Sequence, residues 1–241
     1  DYEKQLIHSE KMASLGLLAA GVAHEINNPI GIIINRIEAL KMENTNGDIP
    51  EKVVKDLDTM MHHAMRVSKI TGNLLSFSRE SSYEFNPQDI NKIIERVLMF
   101  LEGSISKKGI MLEKSLYNEL PLVFGSAAGL EQVFLNIIHN AMDATNSGGR
   151  ISIETACKSG AAGKENGFVN IIISDTGNGI SGEYIGKVFD PFFTTKEIGK
   201  GTGLGLSISY GIIKEHGGDI KVVSEISKGT AFTIMLPVME E

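Results

Sequence analysis

VFDPFFTTKEIGKGTGLGLSIS, residues 188–209, sets Gly199, Gly201, Gly203 and Gly205 at alternate positions and then turns helical at Leu206. Residues without side chains leave backbone N–H groups open beside the positive end of a helix, an arrangement suited to phosphate oxygens. Lys196 and Lys200 stand nearby as countercharges. Neither common nucleotide loop fits: a Walker loop ends in Gly-Lys-Ser/Thr, and the dinucleotide fingerprint spaces its glycines differently, directly after a strand. The wider stretch 180–202 has the length and composition of a lid.

Upstream, FVNIII (168–173) is an apolar run that reads as a buried strand feeding SDTGNGI (174–180). Such a strand delivers Asp175 to a pocket wall, with Gly177 and Gly179 letting a flat ligand approach the backbone. A carboxylate there accepts a hydrogen bond from an exocyclic amine such as that of adenine. Further upstream, a helix over 126–144 is apolar at Val133, Phe134, Ile137, Ile138 and Ala141, and carries Gln132, Asn136, His139, Asn140 and Asp143 on its other side. A solvated face is the plain reading. Asparagine is a poor interior helix former, however, and two at i and i+4 stack amide oxygens suited to a hard metal ion and phosphate oxygens.

From residue 83 onward, short apolar strands alternate with helical periods. Helices are expected over 89–103, 126–144 and 203–216, and strands near 110–115, 150–157, 168–174, 219–224 and 230–236. That is an α/β two-layer sandwich, with KSGAAGKEN (158–166) as an exposed hairpin connection. Residues 1–82 read differently. Leu15, Ala19, Val22, Ile26, Pro29, Ile33, Ile37 (or Arg36) and Leu40 form one seam at steps of three and four, and Val54, Leu57, Met61, Ala64, Ser68, Thr71, Leu75 and Ser78 form another. NTNGDIP (44–50) turns between them, with Pro50 suited to a helix start. Two helices leave both seams half exposed, so the expected state is a homodimer that completes a four-helix bundle.

A chain of 241 residues with 42% apolar residues builds sizeable cores, and a formal charge of −7 with scattered lysines and arginines excludes a dedicated nucleic-acid binder. LGLLAAGVA (15–23) is too short to span a bilayer. A cytoplasmic protein, or the cytoplasmic part of a longer one attached to a membrane through upstream sequence, is the expectation. Cys157, the single cysteine, reads as a strand residue packed in or beside a core.

LEQVFLNIIHNAMDA, DTGNG, VFDPFFTTK, GKGTGLGLS and GTAFTIMLP resemble, in order and spacing over roughly 86–238, the ATP-binding domain shared by sensor histidine kinases, type II topoisomerases, heat-shock chaperone ATPases and mismatch-repair proteins, the Bergerat or GHKL type. The resemblance implies Asn140 as a magnesium ligand, Asn136 beside the phosphates, and Asp175 on the adenine amine in a pocket shaped by Gly177 and Gly179. It implies Gly201, Thr202, Gly203, Leu204 and Gly205, with Lys196 and Lys200, around the triphosphate, and Thr230 acting on adenine through Asp175 or water. His139 has two readings, a phosphate contact or a cover for the helix.

MASLGLLAAGVAHEINNPIG (12–31) resembles the H box of dimeric sensor histidine kinases. Helical geometry turns His24 away from the seam through Val22 and Ile26, among small and polar neighbours. A neutral imidazole is a competent nucleophile near neutral pH. His24 is therefore the expected acceptor of the γ-phosphate of Mg-ATP, with Glu25 holding its other nitrogen; the resemblance further implies that Asn28, one turn on, serves a phosphatase reaction on a response-regulator receiver domain. Pro29 removes the amide that would bond the Glu25 carbonyl and is expected to loosen the helix. The rival reading is an ATP-driven clamp or chaperone. His216, before two glycines at a helix end, reads as a cap.

Overall fold

The computed structural model describes residues 26–42, 49–78, 84–158, 167–196 and 201–239. The chain divides into two compact units, Asp1–Ser81 and Ser82–Glu241.

In the first unit, α1 is helical throughout its described span, 26–42. α2, Glu51–Ser78, begins directly after Pro50, whose carbonyl accepts from the N–H groups of Val53 and Val54, and Glu51 pairs with Lys55 at 2.8 Å in its first turn. The seam expected on α2 is the packed one: Leu57, Ala64 and Thr71 are buried, with Val54, Met61 and Ser68 half-buried. On α1 the expectation needs correcting. Ile37 is buried and Leu40 half-buried as read, but Ile26, Pro29 and Ile33 are exposed, while Asn27, Ile30 and Ile34 face inward. Thr71 donates to the Asn27 side chain, and Lys41 reaches Asp58 across the pair. Two apolar strips run along α1, and spacing alone does not say which one the hairpin itself covers. The bend expected at Pro29 turns on the Glu25 carbonyl, outside the described residues.

The second unit carries β1 (Asn86–Gln88), α3 (Ile90–Lys107), β2 (Met111–Ser115), β3 (Val123–Gly125), α4 (Ala127–Ala144), β4 (Arg150–Lys158), β5 (Phe168–Asp175), α5 (Gly182–Ile185), α6 (Gly205–Glu215), β6 (Asp219–Glu225) and β7 (Gly229–Pro237). The main sheet runs β2-β4-β5-β7-β6, parallel only between β2 and β4, and β1 pairs with β3 apart from it. The three-residue strands and α5 escaped the sequence reading because three or four residues carry no period.

Register makes the core legible. On one sheet face Ile153, Ile173, Phe232 and Val222 align in a row, beside a second row of Thr155, Ile171, Ile234 and Ile220. α3, α4 and α6 close this face with Ile93, Leu101, Leu130, Phe134, Ile138 and Ile212. Ser126 caps α4 by accepting from the Gly129 N–H, and Asp89 caps α3 likewise through Lys92. Cys157 has the same parity as Val169 and Leu236, but it sits at the end of its strand and is exposed, contrary to the packed position expected. At the opposite end, one row further, the face changes character: Ile151 is followed across the sheet by Asp175, Thr230 and Ser224. The apolar core ends there and a polar floor begins.

Candidate functional site

Asp175 closes the central strand and is buried, with its carboxylate Oδ1 accepting the Gly177 N–H at 2.8 Å. Burial pushes its pKa up, and the backbone N–H groups of Gly177 and Thr230 draw it partly back. The carboxylate is thus fixed by two backbone donors while its acceptor capacity exceeds what they use. Thr230, opposite it in register, is also buried. Its hydroxyl lies 2.9 Å from Ser224 Oγ, which donates to the Gly229 carbonyl and accepts the Ile180 N–H.

The glycines of DTGNG are required by close packing against the protein itself. A Cβ on Gly177 would meet the Ala144 carbonyl at 2.4 Å, and one on Gly179, whose φ is 71°, would meet that of Glu225 at 2.1 Å. They let the loop settle onto the end of α4 and the β6–β7 turn, where Asn178 bonds the Ala144 carbonyl and accepts from Ser227.

α4 supplies the second wall. Asn136 and Asn140 are half-buried one turn apart. Asn136 Nδ2 donates to the Gly205 carbonyl at 3.1 Å and to Ser209 Oγ at 3.3 Å, tying α4 to the first turn of α6. Asn140 Oδ1 accepts from Lys196 Nζ at 3.2 Å, and the same ammonium reaches Asp143 Oδ2 at 2.8 Å. Lys108, from the end of α3, holds the other Asp143 oxygen at 3.2 Å and the Met142 carbonyl at 3.1 Å. The two lysines hold the Asp143 carboxyl below its usual range against the opposing effect of burial. His139 is exposed on the same helix.

The third wall opens α6. Gly205 begins the helix, within the expected span 203–216 and one residue before Leu206, and a Cβ there would touch Asn136 at ordinary distance. Gly203 has φ 68° and lies against the Phe192 backbone, so it has no room for a side chain. Gly201 and Thr202 are half-buried beside it, Thr202 Oγ1 accepts from the buried Leu204 N–H at 3.4 Å, and Lys200 falls outside the described residues. The stretch from 180 is not one long lid. α5 lies within it, Val188 is buried, and the Phe189 ring packs 5.4 Å from Tyr210 and 6.5 Å from Phe232. Aromatic contacts continue to Phe193, whose ring lies 5.6 Å from Tyr184, and beyond it Lys196 N–H bonds Thr194 Oγ1.

The donor set fits a magnesium ion carried in by phosphates. Asn140 presents one hard amide oxygen at a point where a cation already sits, and among the described residues no group of three or more His, Cys, Asp or Glu stands ready to cage a metal. The glycine-opened α6 terminus faces the same side as Asn136.

In the first unit, Asn28 is exposed on α1, while His24 and Glu25 lie outside the described residues. Sequence reading missed Asn27, the residue that contacts Thr71, and the reach of the His216 ring to Ser126, although it read His216 correctly as a cap. His216 is buried at the end of α6; its Nε2 accepts the Ser126 N–H at 2.9 Å, its Nδ1 lies 2.7 Å from the Ile212 carbonyl, and the Phe85 ring stacks 4.7 Å away. It is the α6 C-cap residue, and its ring also fixes the start of α4. Among the described residues no helix is long and apolar enough to cross a membrane.

A family model described as histidine kinase-, DNA gyrase B-, and HSP90-like ATPase matches residues 125–240, and one described as His Kinase A (phospho-acceptor) domain matches residues 14–82. Sensor kinase CckA of Brucella abortus (strain 2308) is 37% identical over 99% of this chain and 26% of its own length. Sensor histidine kinase ZraS of Escherichia coli (strain K12) is 33% identical over 98% of this chain and 48% of its own. The chain thus spans about a quarter to a half of the length of these curated relatives. Among solved structures, the catalytic domain of histidine kinase ThkA matches with a TM-score of 0.56 at 32% identity, over 64% of this chain and 96% of that one. ThkA in complex with response regulator protein TrrA matches with a TM-score of 0.66 at 31% identity, over 99% of this chain and 66% of that one.

Proposed function

Because the chain belongs to the sensor histidine kinases, in which a phospho-acceptor helical domain joins a gyrase- and Hsp90-like ATPase domain, we propose that it binds Mg-ATP between α4, β5 and α6, phosphorylates His24, and passes the phosphoryl group to an aspartate of a response regulator. The observation that carries this reading is the floor of the second unit: a buried carboxylate, Asp175, at the point where the apolar rows of the sheet end.

Asp175 accepts from the adenine amine, and Thr230 steadies it from the neighbouring strand. Asn136 keeps α4 on the glycine-opened turn of α6, so the N–H groups from Gly201 to Gly205 stay aimed at the phosphates. Asn140 Oδ1 holds the magnesium ion, with Lys196 and Lys200 as countercharges. When bound, the metal neutralises charge that builds on the phosphate oxygens. His24 forms the N–P bond through Nε2 as the β–γ bridging oxygen departs with ADP, and the Nδ1 proton is shared with Glu25.

The second half-reaction draws on the ThkA–TrrA complex, which joins a relative to a response regulator. Asn28, which is exposed on α1, orients water against an aspartyl phosphate in this reading, which adds a phosphatase activity. Homodimerisation is supported by the strip Ile26, Ile33, Val53 and Met60 that the single hairpin leaves exposed. Incubation with γ-labelled ATP and magnesium tests the whole reading. The kinase gives protein-bound label that is stable in base and lost in acid. An ATPase clamp gives steady phosphate release with no labelled protein.

A further inference from the structure

The strongest feature left over by that reading is the chain of charges Lys108–Asp143–Lys196–Asn140. We propose that Asp143 is a positioning residue that parks Lys196 on Asn140, so that a side-chain ammonium stands at the metal position until the metal–nucleotide displaces it. The inference rests on the proposed nucleotide site and adds to it a built-in competition for Asn140 Oδ1.

The geometry gives each group a separate task. Lys108 anchors Asp143 from behind, bonded to Oδ1 and to the Met142 carbonyl at once, so the carboxylate is held in place on α4. Only Oδ2 remains directed at Lys196, which it meets at 2.8 Å, the shortest contact of the group. Lys196 Nζ then spans to Asn140 Oδ1 at 3.2 Å. One amide oxygen cannot serve an ammonium and a divalent ion together, because the two cations repel at that separation. Lys196 is one-third exposed and Asp143 more so, which keeps the pair weak enough to open. Once Lys196 leaves for the phosphates, Lys108 still neutralises Asp143, so the carboxylate does not repel the triphosphate. A casual surface pair needs no such anchor.

The test is a titration of the full chain with a fluorescent ADP analogue, in excess magnesium and in EDTA. Asp143→Asn frees Lys196 for the phosphates and clears Asn140 Oδ1, so affinity rises about threefold to tenfold in EDTA and by at least as much in magnesium. Asp143→Asn combined with Lys196→Met loses that gain, and Asp143→Glu restores the affinities of the unsubstituted chain. Unchanged binding in both conditions overturns the proposal, as does a loss confined to magnesium, which would make Asp143 a metal ligand. A second readout needs no nucleotide: the Asn140 side-chain amide signal in a nitrogen-15 correlation spectrum moves in Asp143→Asn and in Lys196→Met. If the unsubstituted chain binds no nucleotide, the proposed function fails, and the amide signal alone decides: movement in both variants supports the latch and stasis overturns it.

Discussion

Asp175 and His216 are two buried titratable groups with opposite demands. Asp175 is held in a site that resists its charge, so replacing it with asparagine removes a cost of folding while keeping the shape. The amide, however, must turn its NH2 either toward the adenine amine or toward the Gly177 N–H, and either choice sets donor against donor. Asp175→Asn is expected to keep or raise the melting temperature while weakening nucleotide binding by about 1–3 kcal/mol, tenfold or more, by calorimetry. His216 behaves differently. Burial lowers its pKa below the ordinary 6.5, against the pull of its contacts with Ile212 and Ser126. Below 6.5 the unfolded chain takes up a proton that the folded ring refuses, so the contribution is complete above that pH and declines as pH falls toward the folded value. Between about pH 7.5 and 5.5 the melting temperature of the unsubstituted chain should fall more than that of His216→Gln; parallel declines would remove the ring from the account. Asp175 was legible in sequence because a carboxylate ending an apolar strand breaks a rule. His216 was legible as a cap, but its bond to Ser126, 90 residues away, was not, and neither was Lys196 on Asp143, 53 residues apart.

Elements explain which parts of the fold could be read in advance. α3, α4, α6 and the five long strands carry full periods, and their expected spans agree with those observed to within a few residues, apart from the longer α3. Glycine positions were found but half their purpose was not: alternation shows where side chains are absent, whereas the Ala144, Glu225 and Phe192 backbones that require the absence come from tertiary packing. α1 shows the same limit. A helix with two apolar strips has two partners, and only the fold reveals that Ile30, Ile34 and Ile37 serve the hairpin while Ile26 and Ile33 are left over. Ile33→Glu therefore places charge on the free strip without touching the packed one. It should convert a dimer to a monomer by light scattering, with helical content retained by circular dichroism; a variant that stays dimeric would move the proposed interface elsewhere.

At the scale of the molecule, two compact units divide the labour: the proposed nucleotide site lies wholly in Ser82–Glu241, and the proposed acceptor in Asp1–Ser81. Motif order made the second unit recognisable, because five short signatures at family spacing are far more specific together than apart, whereas the first unit rested on the single stretch 12–31. What sequence cannot convey is how the units meet, since that depends on surfaces without a period. The chemistry nonetheless has one necessary signature, phosphate on a single imidazole. The deciding measurement is labelling by γ-labelled ATP in the unsubstituted chain and in His24→Gln, with nucleotide affinity checked in both. The account predicts base-stable, acid-labile label on the first and none on the second at equal affinity. Label persisting in His24→Gln would contradict it.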